Sequence, residues 1–178
     1  LESHIEANGA CLSASELMSQ IKNRIDKLEG SDSVELLNFI QHHLSTLFEE
    51  VSNWAYGYYA NHSMSSNDNL DIEFQTLSVV DFGFHNVMKK NNGDTIFIDF
   101  EYFGWDDPVK LTCDFLLHPG MALTNERKNI WAENMITIFS GDPFFKQRLN
   151  ASYFLYGLCW CLILLNEFFF EKIPSIFD

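Results

Sequence analysis

The stretch SVVDFGFHNVM, Ser78 to Met88, contains two overlapping spellings that give Asp81 different work. Read as D-F-G, Asp81 carries a metal ion. Read as D-x-x-x-x-N, Asp81 is a base and Asn86 holds the metal. A metal-carrying D-F-G is preceded by its own D-x-x-x-x-N loop, yet no Asp from Asp26 to Asp71 has an Asn five residues later. If Asp81 instead heads the loop, a second acidic ligand should follow at the end of a β-hairpin. Asp99, closing the apolar run IFID, is in that place.

The hairpin is predicted from NVMKK and TIFIDF flanking NNGD, with Asn92-Gly93 as the turn signal. A two-residue turn there pairs Asn91 with Asp94 and, counting outward, Asn86 with Asp99. Opposed residues share a face, with Cβ atoms roughly 4.5–5.5 Å apart. An Asn amide oxygen beside an Asp carboxylate is oxygen ligation suited to a hard cation such as Mg²⁺. Glu101, two residues beyond Asp99, is expected on the same face. Asp99 in an apolar strand is costly to bury unless it is paired or metal-bound.

Outside the hairpin the pattern is helical. Ser13-Ala14-Ser15-Glu16 has the capping-box form, and Leu17, Ile21, Ile25 and Leu28 follow at helical spacing to about Gly30. A second helix is expected from about Ser33 to Ala60, with Leu37, Ile40, Leu44, Leu47, Val51, Trp54 and Tyr58 as its apolar stripe. His42 and His43 are adjacent in that helix, face about 100° apart and read as solvated. Ser63 to Asn69 is a polar loop. Asp107 is placed to cap a further helix with Pro108 at its first position. Two more helices are predicted, roughly Asn125 to Ser140 and Pro143 to Glu171. His118, before Pro119, reads as a helix end, and Phe100, Tyr102, Phe103 and Trp105 read mostly as core. The fold class is α+β, mostly α, with one embedded hairpin and all 178 residues in one domain.

Composition narrows the partners. A formal charge of −14 disfavours nucleic acid or an anionic membrane, either of which needs a basic face. Apolar residues at 47%, 17 of them Phe, argue against disorder. Cys11, Cys113, Cys159 and Cys161 form no C-x-x-C pair or Cys/His ligand set, so reduced thiols in a cytoplasmic protein are expected. Tyr153 to Leu165 carries no charge, but a span needs about 20 apolar residues, so a core helix is expected.

The segment VVDFGFHNVM…TIFIDFEYFGWDDP resembles the motif region of the aminoglycoside phosphotransferase and choline kinase-like enzymes, which share the protein-kinase-like fold. That family carries an H-x-D-x-x-x-x-N loop, a hairpin, an I-D-[WFY]-E strand and a G-D-P turn. The resemblance is specific over Val79 to Pro108 and loose elsewhere. It implies the helical C-terminal lobe of that fold, with Asp81 as catalytic base and Asn86 and Asp99 as magnesium ligands. It also implies ATP or another nucleoside triphosphate as phosphoryl donor and a small hydroxylated acceptor. Cationic acceptors suit the acidic and aromatic surroundings, while sugars, amino alcohols and aminoglycosides all stay open. Glu101 matches the acidic residue after the metal Asp and, with His85, is a candidate substrate or supporting residue. Asp106 replaces the turn's Gly, and the motif's His falls at Val79. No Gly-rich phosphate loop with a strand Lys precedes Asp81, so the nucleotide lobe is expected to be absent from these residues. Two other readings stand beside this one: a non-catalytic interaction domain derived from a kinase lobe, and a Zn²⁺ or Mn²⁺ hydrolase using Asp81, His85, Asp99 and Glu101.

Overall fold

The computed structural model describes residues 4–166. Helix α1 (Ala14–Leu28) starts where its capping box predicts. Ser13 Oγ accepts from the Glu16 N–H at 3.2 Å, and the Glu16 carboxylate accepts from the Leu12 N–H at 3.0 Å. Leu17, Ile21, Ile25 and Leu28 are all buried, as the spacing requires.

The second helical stretch departs from expectation in its middle. α2 (Val34–Phe39) and α3 (Ser45–Asn61) are joined without a break by a π-helical turn, Ile40–Leu44, in which the Ser45 N–H bonds to the Ile40 carbonyl. That wide turn takes in one extra residue and rotates everything after it by about 100°. The buried face after Leu44 is therefore Ser52, Ala55 and Tyr59, with Phe48 partly buried against the core. Each lies one position after the expected Leu47, Val51, Trp54 and Tyr58; Leu47 and Trp54 are exposed, while Val51 and Tyr58 stay partly buried against the core. His42 and His43 are exposed.

Among the described residues, four short strands form two antiparallel pairs. β1 (Thr76–Ser78) pairs with β4 (Gly104–Asp106), and β2 (Val87–Lys89) pairs with β3 (Thr95–Phe97). The β1–β4 pair was not expected, because three residues are too few to show strand periodicity. An N-terminal segment runs along the other side of β4, with the Trp105 N–H donating to Ile5 at 2.9 Å and the Ala7 N–H donating to Trp105 at 3.0 Å. Gly104 permits that approach, since a Cβ there would lie 2.5 Å from the backbone of Glu6 and Ala7.

The β2–β3 hairpin forms, but its register differs from the expected one. Val87 faces Phe97, Met88 faces Ile96 and Lys89 faces Thr95. The loop holds three residues, 91–93, closed by the Lys90 N–H on the Asp94 carbonyl at 2.8 Å. A two-residue type I′ turn needs positive φ at both Asn92 and Gly93, and only Gly93 has it, at +93°. Asn92 instead uses its side chain, accepting from the Asp94 N–H at 3.1 Å. One extra loop residue moves every partner by one, so the Ile98 N–H bonds to the Asn86 carbonyl at 3.0 Å. Asn86 and Asp99 are therefore not opposed, and the register argument for their shared face fails. β3 ends at Phe97, so strand alternation does not place Glu101 on Asp99's face either. The chain from Ile98 to Phe103 is irregular, which leaves Asp99 exposed rather than in an apolar strand. Phe100, Tyr102 and Phe103 are about half exposed for the same reason, against the expectation of core.

Helix α4 (Pro108–Leu117) begins as predicted, with Asp107 accepting from the Val109 N–H at 2.8 Å and Pro108 opening the helix. α5 (Asn125–Ile138) is capped by Thr124, and α6 (Phe145–Leu165) runs through the centre, against α1, α3 and α4. The predicted end of the last helix, residues 167–171, lies outside the described residues. By length and composition α6 is long and apolar enough to cross a membrane, at a mean hydropathy of 1.3. Here it buries Phe145, Leu149, Leu155, Tyr156, Leu158 and Leu162 against the other helices. All four cysteines are free.

A buried ionic clasp ties α4 to α6. Arg148 on α6 donates from Nε and Nη2 to the Asp107 carboxylate at 2.9 and 3.0 Å. Its Nη1 lies 2.7 Å from Asp142 Oδ2, close enough for ion pairing though too bent for a hydrogen bond. Burial works against the Arg148 charge, but Asp107 and Asp142 hold its pKa above the ordinary value. A second buried group sits one residue earlier. Asp106 Oδ1 accepts from the Cys11 N–H at 3.0 Å and the Asp107 N–H at 2.8 Å, while Oδ2 faces Lys110 at 3.5 Å. Burial raises the Asp106 pKa to about 6, with Lys110 and the two N–H bonds pulling the other way.

Candidate functional site

Asp81 lies in the loop between β1 and β2, on left-handed backbone with φ +61°. A non-glycine residue in that region carries about 1 kcal/mol or more of strain and persists only where its surroundings hold it. Its neighbours do so. Phe82 packs its ring against Phe97, Phe115 and Trp131, with centroids 4.7, 5.7 and 6.5 Å away. Gly83 is buried at an extended φ of −173°, so its requirement is space rather than conformation. A Cβ there would sit 2.6–2.7 Å from the His85 ring and 3.0 Å from Met121 Sδ. The Phe and Gly of the D-F-G spelling thus serve packing in this fold: one anchors the loop and the other makes room for His85.

The Asp81 side chain is half exposed, at 53%. Two imidazoles converge on one of its oxygens. His85 Nε2 lies 3.1 Å and His118 Nε2 3.3 Å from Asp81 Oδ1. The two rings stack, 4.4 Å apart and 12° from parallel. No described group bonds Asp81 Oδ2. Asn86 donates from Nδ2 to the Asp81 backbone carbonyl at 3.1 Å, and its N–H closes the turn on Gly83 at 3.1 Å. That anchors the amide by its nitrogen and leaves Oδ1 as a free oxygen donor.

Asp99 also has left-handed backbone, φ +69°, and its carboxylate is exposed just past β3. Asp81 and Asp99 are two of the four positive-φ non-glycine residues among those described. Asn86 and Asp99 supply the oxygen donors a hard cation prefers, adjoining the bond from Ile98 to Asn86. Glu101 is exposed, and its carboxylate accepts from the Tyr102 hydroxyl, which raises that phenol's pKa. No described contact joins it to Asp81.

Asp81, His85 and His118 also form a group of three ligand atoms within 4.8 Å of one another. The tautomer of His118 tells against a metal there. Its Nδ1 accepts from the Gly120 N–H at 3.0 Å, so in the neutral ring the proton sits on Nε2. A metal-ligating histidine has the opposite arrangement, with the bare nitrogen on the ion and the other N–H donating. The hydrolase set of Asp81, His85, Asp99 and Glu101 is likewise not gathered by any described contact beyond Asp81 with His85.

Sequence reasoning missed His118 as a partner of Asp81. It reaches the site only because α4 ends beside the loop, where the Phe84 N–H contacts Met121 Sδ at 3.1 Å. Nothing local in the sequence around His118 signals this. A separate cavity of about 230 Å³ is lined by Leu12, Tyr59, Asp107, Arg148 and Tyr156, among others, but by none of Asp81, Asn86 and Asp99. Its polar floor is the α4–α6 clasp. Comparisons with protein-family models, curated proteins and solved structures give no match to this chain.

Proposed function

We propose that this chain is the acceptor- and magnesium-binding lobe of an ATP-dependent small-molecule phosphotransferase, with Asp81 as its catalytic base. The observation that carries the reading is the state of Asp81: positive-φ backbone, one carboxylate oxygen approached by two imidazole nitrogens, and a side chain half exposed to solvent. Positive φ alone does not single it out, since Ser63 and Ala122 share that backbone and are exposed, but neither has two imidazoles meeting on one oxygen.

In this reading Asp81 Oδ2 takes the proton of an acceptor hydroxyl as that oxygen attacks the γ-phosphorus. The new O–P bond forms while the bond from the γ-phosphorus to the β–γ bridging oxygen breaks, its electron pair leaving with the nucleoside diphosphate. Asn86 Oδ1 and the Asp99 carboxylate would hold Mg²⁺, which supplies charge neutralisation at the phosphate oxygens. Asn86 does two jobs, since the bond from its Nδ2 to the Asp81 carbonyl couples the metal-side residue to the base. Support for this ligand pair is the oxygen chemistry of its donors, since the register that would have opposed them is not the one observed. The interaction-domain reading gives no reason for two imidazoles to meet on one half-exposed carboxylate.

The test is Mg²⁺-dependent transfer from γ-labelled ATP to a panel of sugars, amino alcohols and aminoglycosides by the intact protein. A general base contributes about 10²–10⁴-fold, so Asp81→Asn should lower kcat by about that factor. Circular dichroism should be unchanged, because the side chain is half exposed. Asp99→Ala should also abolish transfer, but with partial recovery at high Mg²⁺. Transfer by Asp81→Asn near the original rate would overturn the assignment. Rescue of Asp81→Asn, rather than Asp99→Ala, by Mg²⁺ would reverse the two roles.

A further inference from the structure

We propose that His118 is a positioning residue for Asp81: its Nε2–H pins Oδ1 and so makes Oδ2 the oxygen that receives the acceptor's proton. The inference rests on the reading of Asp81 as base.

Four features of the structure point to it. First, the His118 tautomer is set from behind, because the Gly120 N–H occupies Nδ1 at 3.0 Å and leaves the proton on Nε2. That nitrogen lies 3.3 Å from Asp81 Oδ1, within ion-pair distance. Second, the ring is packed against two aromatic neighbours. His85 stacks on it at 4.4 Å, and Trp160 of α6 meets it at 4.6 Å and 70°, edge to face. Third, Trp160 is itself oriented, its Nε1–H donating to Asp114 at 3.2 Å, and Asp114 is ion-paired to Lys110 at 3.4 Å. Fourth, Gly120 keeps space for the imidazole, since a Cβ there would lie 3.0–3.1 Å from the ring.

A histidine that merely ends a helix has no need of this arrangement. The helix-end work at this position is done by the backbone, through the His118 N–H on the Asp114 carbonyl at 2.9 Å. The ring's Nδ1 caps the turn that follows, through the Gly120 N–H, and its Nε2 takes no part in that cap. What Nε2 does instead is remove rotational freedom from an exposed carboxylate on a flexible side chain. Misorientation of a reacting group by about 1 Å can lower a rate 10²-fold, so this restraint acts on the chemical step. His85 gives a second contact to the same oxygen, but no hydrogen bond sets its tautomer among the described residues.

Two measurements test the proposal, and the first does not depend on activity. Long-range proton–nitrogen NMR of the imidazoles should show His118 as the Nε2–H tautomer. Asp81→Asn should shift its Nε2 resonance while other histidines distant from the loop stay put. An Nδ1–H tautomer, or no response to Asp81→Asn, overturns the pinning contact. The second is kinetic. His118→Phe keeps a stacking ring without a donor and should lower kcat about 10–100-fold, leaving the acceptor KM within about twofold. His118→Gln, which can present an N–H near the Nε2 position, should recover most of that loss. Equal kcat for His118→Phe and the unaltered protein, in a protein that Asp81→Asn inactivates, refutes this inference alone. Unimpaired transfer by Asp81→Asn refutes the assignment of Asp81 and, with it, the positioning role.

Discussion

Replacing Arg148 with Met tests whether the ionic clasp holds the frame on which the site is built. The guanidinium makes three contacts of 2.7–3.0 Å to Asp107 and Asp142, and all three side chains are at least about nine-tenths buried. Methionine would fill much of the space but leave two carboxylates without a cation. Each keeps one backbone donor, the Val109 N–H for Asp107 and the Phe144 N–H for Asp142, both at 2.8 Å. Breaking a buried pair from one side costs about 3–5 kcal/mol, mostly because the remaining charge is uncompensated. That is a large part of the about 5–15 kcal/mol available to a domain. Urea unfolding followed by far-ultraviolet circular dichroism should therefore show a much lower midpoint at an unchanged slope. Arg148→Lys should fall between, since one ammonium cannot reproduce a planar fork. Joining Arg148→Met to Asp107→Asn and Asp142→Asn should restore most of the stability, because the clasp then holds no uncompensated buried charge. A loss below about 1 kcal/mol for Arg148→Met, or a triple variant no better than the single one, would refute this account of the clasp.

Three other outcomes are expected. A rise in the Asp106 pKa from 3.8 to about 6 means the folded protein holds this proton more tightly than the unfolded chain does. Its contribution, about 3 kcal/mol, is fully present below pH ~3.8 and lost as pH rises through ~6. Asp106→Asn should therefore gain stability relative to the unaltered protein between pH 4.5 and 7.5, and parallel urea midpoints would contradict it. Gly83→Ala should destabilise the loop by about 1–3 kcal/mol through collision with the His85 ring. His85→Ala should relieve most of that cost in a double-mutant cycle, and strictly additive effects would show that the collision is not the cause. Finally, this 178-residue chain carries no Gly-rich phosphate loop with a strand Lys. By calorimetry and an ATPase assay it should bind Mg²⁺–ATP weakly and show no acceptor-independent turnover. Tight binding with steady turnover would mean that the site is complete within these residues.

What could be read from the sequence alone was whatever rests on short-range interactions. The Ser13 cap and the apolar spacing of α1 involve residues three or four apart, and so does the Asp107-Pro108 start of α4. The hairpin's existence followed from apolar runs around Asn92-Gly93. Asp81 and Asn86 were singled out by their D-x-x-x-x-N spacing, and Asp99 as the acidic residue closing the apolar run IFID.

Tertiary structure decided the rest, wherever two local solutions were close in energy or the partner lay far along the chain. Two- and three-residue loops both suit NNGD, and the choice between them moved Asp99 from opposite Asn86 to one residue beyond it. The π-helical turn at Ile40–Leu44 re-aimed the face of α3 that packs on α6, at a place where propensity makes no distinction. His118 meets Asp81, and Arg148 meets Asp107, only because α4 and α6 are packed around one core. Those contacts join groups with no local signature, and their geometry depends on helix packing that no short window of residues contains.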